Sequence, residues 1–135
     1  MNLLSWTKVY LLTFLIFLAV DFLWLGLIAK QFYQRYLGHF FSDQVNWAAA
    51  FLFYLLFVFG LMVFVLSPAL KAEAFKQALI LGMLYGLITY ATYDLTNLAL
   101  LKGWPLKVVV VDICWGIVLS GIVSSAGYRI AKWLL

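Results

Sequence analysis

The chain has 135 residues, 67% hydrophobic and 10% charged, with a mean hydropathy of +1.08, values that exclude a soluble globular domain and identify a membrane protein. Its length allows one domain, with membrane spans taking most of the residues. The net charge of +4 is no nucleic-acid signature, because the basic residues cluster at the ends of apolar runs and form no stripe or binding motif.

Residues 9–29 form an apolar run interrupted only by Thr13 and Asp21. About 20 apolar residues suffice to cross the hydrocarbon. A secretory signal with Leu11 to Val20 as its core is the competing reading, but an acid directly after that core and the lack of an A-x-A-like site predict an uncleaved first helix. Residues 30–46 follow as a polar and aromatic connection. Phe32, Tyr33, Tyr36, Phe40 and Phe41 alternate with Lys30, Arg35 and His39. Two readings are open, a segment lying in the headgroup plane or an extension of helix one ending in a surface loop. In the first, the segment lies over whatever opens on that side, with Tyr36 and His39 as its lid residues.

Residues 47–66 are a second apolar, aromatic span, read as scaffold and expected to stop at Ser67-Pro68. Residues 78–101 make the third, in which Gly82 and Gly86 predict close approach of a neighbouring backbone. Lys102 to Lys107 is short enough to make the third and fourth spans antiparallel neighbours. The fourth span, residues 108–130, carries Asp112, Trp115 and several small residues. Only helices and closed barrels satisfy the backbone in lipid, and these runs are too long and unalternating for barrel strands. The expected fold is therefore all-α, a four-helix transmembrane bundle running up-down-up-down. Five basic residues on the terminal side against four on the other favour both termini in the cytoplasm.

Asp21, Asp94 and Asp112 lie inside apolar spans, where an acid is rare and points to function. At 1.5 Å per residue they sit about 12, 10 and 6 Å below the surface that carries the 30–46 connection. All three thus share one membrane half. Each has a partner at i,i+3, pairing Asp21 with Trp24, Asp94 with Asn97, and Asp112 with Trp115. Val20-Asp-x-x-Trp in the first span is echoed by Val111-Asp-x-x-Trp in the fourth. The plain alternative for each acid is a carboxyl gluing helices, hydrogen-bonded by Asn97, Thr92, Thr96, Tyr90 or Tyr93. Three acids in low dielectric with no Lys or Arg at mid-span weaken it, since some must be protonated, hold a cation or exchange a proton.

Asp94, Asp21 and Asp112 are thus candidate acid/base groups or cation ligands, and Trp24, Tyr90, Tyr93, Asn97 and Trp115 candidate ligand-binding residues. Asp94 is expected to be the central acid and Asn97 its orienting partner. One His and one Cys make a zinc site or disulfide unexpected, no metal is assigned and no cofactor is identified. Tyr93-Asp94 matches the Tyr-Asp of intramembrane aspartyl proteases, but their Gly-x-Gly-Asp partner is absent. Cys114, Met62 and Met83 are expected to pack.

The run Ala91-Thr-Tyr-Asp-Leu-Thr-Asn97, then Leu101-Lys-Gly-Trp104, Asp112-x-x-Trp-Gly116 and Asp21-x-x-Trp24, resembles the small membrane proteins of domain of unknown function family 2177. The resemblance covers essentially the whole chain and departs at Leu100, where the family pattern has Thr. It implies a bacterial inner-membrane location and a four-span fold, and no activity. The residues point to a pocket that binds, with scope to modify, a membrane lipid or another hydrophobic small molecule. A proton- or cation-coupled transporter and a structural or assembly subunit are the alternatives, with a homo-oligomer left open.

Overall fold

The computed structural model describes residues 2–134, which form four long helices, one short α-helix followed by a single 3-10 turn at Gly38–Phe40, and no strand. Helix α1 is Leu3–Ile28, α2 is Lys30–Leu37, α3 is Trp47–Lys71, α4 is Phe75–Leu100 and α5 is Leu106–Leu134. The four long ones are apolar enough to cross a membrane, and each outruns its predicted span. Asn2 and Asn46 cap α1 and α3 by accepting from the Ser5 and Ala49 N–H groups.

Pro68 does not end the second span, contrary to the sequence expectation. Proline lacks an N–H and its ring collides with the carbonyl four residues back. The chain accommodates it by widening to a π turn over Met62–Leu66, in which the Ser67 N–H bonds the Met62 carbonyl, and the helix continues to Lys71. A second π turn, Trp24–Ile28, closes α1 where the Ala29 N–H reaches the Trp24 carbonyl at 2.7 Å. There the chain bends into α2, so residues 30–37 are a separate helix rather than an extension of α1. Tyr33 and Leu37 are its buried residues.

Helix α5 is the hub, packing most extensively on α4 and next on α1. In lipid the hydrophobic effect does not draw helices together, so close van der Waals contact must. Glycine supplies it. A Cβ on Gly82 would collide with the Ser124 side chain, and one on Gly86 with the Gly116 carbonyl, so the predicted backbone approach is present. Helix α3 joins α1 through Phe17, whose ring lies 5.0 Å from Phe57 and 5.5 Å from Tyr54. It meets α4 lower down, where Gly60 leaves room for Tyr85 to donate to the Phe57 carbonyl at 2.9 Å. Nearer the α2 end, Trp47 to Ala49 and Phe51 to Phe53 are exposed, and this part of α3 stands away from α4. Cys114 and Met83 are exposed; of the three sulfur residues expected to pack, Met62 alone is in the core.

Candidate functional site

Where α3 and α4 separate, the bundle encloses a chamber of about 370 Å³. Every long helix contributes to its wall: Asp21 and Leu25 from α1, Tyr54 and Phe57 from α3, Tyr90 and Tyr93 from α4, Asp112 and Trp115 from α5. An adjoining cavity of about 400 Å³ lies under α2, which contributes Lys30, Tyr33, Gln34 and Leu37. Leu25, Tyr93 and Asp112 line both.

The acids are held by aromatic donors. Asp21 accepts from the Trp115 indole at 3.3 Å on one oxygen and from the Tyr54 phenol at 3.3 Å on the other. Asp112 accepts from the Tyr33 phenol at 2.8 Å, and Tyr33 in turn accepts from the Trp24 indole at 3.1 Å. The Trp24 and Trp115 rings stack, with centroids 4.4 Å apart and planes within 8°. Asp21 is therefore served directly by the indole of the opposite helix, and Asp112 by the indole opposite it only through the Tyr33 phenol, neither of them by its own i,i+3 neighbour. Antiparallel packing explains the exchange. Trp24 lies three residues nearer the α2 surface than Asp21, and Trp115 three residues further from it than Asp112, so each indole comes level with the other helix's carboxyl.

Asp94 sits elsewhere than expected. It is fully buried at 0% exposure and contributes to neither cavity wall. The Asp112 carboxyl and the Trp104 indole approach it, yet neither Asp94 oxygen closes a hydrogen bond, nor does the buried Trp104 Nε1. The local groups that could have tied it off do not: Thr92 donates to the Ile88 carbonyl, and Asn97 lies beside the Tyr93 phenol. Asp94 is thus a sealed acid behind Asp112, and Asn97 does not orient it.

Five residues were missed or misread. Tyr54 makes the second span part of the wall rather than scaffold alone. Tyr33 is the inner face of α2, whereas Tyr36 faces Lys107 at 3.5 Å and exposed His39 lies against Phe40, so neither proposed lid residue lines a cavity. Trp104, in the short connection before α5, is buried. The i,i+3 pattern of Tyr33 with Tyr36 and Leu37 with Phe40 signals an amphipathic helix but not which stripe turns inward. Burial, then the neighbouring Asp112 carboxylate, hold the Tyr33 phenol well above its ordinary range, so it remains a donor at neutral pH.

Chemically, the arrangement presents two carboxyls to an aromatic chamber and keeps a third in reserve. Among the described residues, the one ion pair is the exposed Lys132–Glu73 contact at 3.7 Å, at the far end of the bundle. No three His, Cys, Asp or Glu side chains among them converge closely enough to share one metal ion. No curated protein and no solved structure matches the chain. The family model described as a predicted membrane protein, DUF2177, matches residues 6–129, and the chain belongs to that family.

Proposed function

We propose that this integral membrane protein binds a lipid or other hydrophobic small molecule in the chamber between its four spans. The observation that carries the reading is the chamber itself, a 370 Å³ space with carboxyls from two helices set among aromatic rings at membrane depth. Ligand sites are concave, mostly apolar, and oriented by a few placed polar groups. The gap between α3 and α4 gives an occupant a route from the surrounding lipid, and α2 closes the chamber's outer end. Asp21 and Asp112 touch the occupant. Asp94, sealed behind Asp112, acts on it only through that neighbour. A through-path is not favoured, since no Asp, Glu, Lys, Arg or His lies between Val9 and Val20 or between Gly116 and Tyr128, along the far half of α1 and α5.

Photo-crosslinking with a diazirine-bearing fatty acyl lipid tests this. Adducts are expected on Tyr54, Tyr90 or Trp115, and their loss in Thr89→Trp, which fills the chamber from a residue whose hydroxyl already bonds its own helix at the Tyr85 carbonyl. Adducts spread evenly over the lipid-facing surface, unchanged by that substitution, would overturn the proposal.

A further inference from the structure

We infer that the occupant of the chamber is an organic cation carried on a hydrophobic body, an amine or quaternary ammonium amphiphile; this deepens the binding role proposed above and rests on it. Four features of the site lead there. First, the ionisable groups in its wall are the two acids Asp21 and Asp112 and the phenols, with no Lys, Arg or His among them. An anionic head would meet like charge in low dielectric and is rejected. Second, Asp21 takes a donor on each oxygen, Trp115 on one and Tyr54 on the other, an arrangement that holds the carboxyl in place in the chamber wall. Third, the remaining wall is largely aromatic, with Phe53, Phe57, Tyr90 and Tyr93 joined only by Leu25 and Thr89. A cation is drawn to such faces, and most strongly where water is excluded. Fourth, and independently of the wall, Asp94 lies fully buried against Asp112 with both oxygens unpartnered. Buried polar groups ordinarily have a partner, and these two oxygens have none. A cation held at Asp112 brings a favourable charge beside them.

A bare metal ion fits less well. The acids do not converge as a ligand set, while a bulky ammonium needs only to lie between them and against the rings. Its apolar chain would extend through the gap between α3 and α4 into the bilayer.

The test is isothermal titration calorimetry of the full chain in phosphatidylglycerol nanodiscs, with empty nanodiscs as the blank. Two probes share a chain and differ in charge: dodecyltrimethylammonium and the neutral dodecyldimethylphosphine oxide. Saturable binding of the ammonium is expected, about tenfold tighter than the phosphine oxide, with that margin lost in Asp21→Asn and in Asp112→Asn. Circular dichroism checks that these near-isosteric variants are folded; the wild-type comparison of the two probes stands without them. Equal affinity for both probes overturns the cation assignment and leaves the binding role standing. Saturable binding of neither overturns both. Repeating the titration with phosphatidylethanolamine added separates the sources. Weaker ammonium binding there identifies a lipid amine as the occupant, and unchanged affinity a free amphiphilic amine.

Discussion

The two halves of the bundle are built on opposite principles. Away from α2, the helices close on one another through Gly82, Gly86, Gly116, Ser120 and Ser124, and α3 meets α4 through Tyr85 and Gly60. The groove at that end, about 360 Å³ beside Trp6, Tyr10 and Met62, carries no acid. Toward α2 the small residues give way to indoles, phenols and carboxyls, α3 leaves α4, and a chamber opens. One half thus holds the helices together, and the other holds side chains apart. Such a division lets a small membrane protein keep a cavity without losing its fold, since the packing that the chamber forgoes is concentrated in the seam below it.

The comparison breaks most completely if the seam is wedged. Gly86→Ala places a methyl group against the Gly116 carbonyl and the Ser120 Cβ, where backbone rather than a flexible side-chain tip must yield. The expected loss is about 3 kcal/mol, the upper end of overpacking costs, read by unfolding in mixed micelles. Gly26→Ala, in the other half, has no neighbour within 4 Å of the added atom and should stay within about 0.5 kcal/mol of the parent. Equal effects at the two glycines would erase the distinction between a closed and an open half.

Much of this division is legible in the sequence. Counting residues from the span ends puts Asp21, Asp94 and Asp112 in one half, and the Asp-x-x-Trp echo, placed on antiparallel helices, already sets each indole level with the other acid. Rotation about the helix axis is what residue counting does not give. It decides that Asp94 turns into the packing behind Asp112 while Tyr93 beside it lines both cavities. The contributions of Tyr54 and Tyr33 were hidden for a related reason. A tyrosine among other aromatic residues reads as one more ring until the fold places a carboxyl opposite its hydroxyl. Pro68 was misread because a π turn upstream, which leaves no mark in composition, lets a helix pass through proline.

A smaller effect sharpens the account of the open half. Tyr33→Phe removes one hydroxyl that both donates to Asp112 and accepts from Trp24, while leaving the ring that packs beside Trp24 and Phe32. Losing a buried hydroxyl that donates one hydrogen bond and accepts another costs about 2 kcal/mol, and that is the expected loss. Tyr36→Phe, which gives up only a 3.5 Å exposed contact with Lys107, should cost almost nothing. A reversed order would mean that α2 is held over the chamber by its outer face.

The smallest expected effect is also the most discriminating, because its sign carries the information. A carboxyl kept as helix glue stabilises the bundle, and removing it costs stability by leaving its donors unpaired. Asp94 has no donors to leave behind: both oxygens are buried and unbonded, and the indole nitrogen of Trp104 beside it is unbonded too. Asp94→Ala should therefore stabilise the empty protein, by about 1 kcal/mol once the small void left by the carboxyl is set against relief of an unsatisfied buried acid. The same substitution should weaken ammonium binding, since the site then loses the second carboxyl that lies behind Asp112. A gain in stability paired with a loss of binding is the pattern of a residue kept for its site at the expense of the fold. A loss of stability with binding unchanged would return Asp94 to the seam and leave Asp21 and Asp112 as the chamber's only acids.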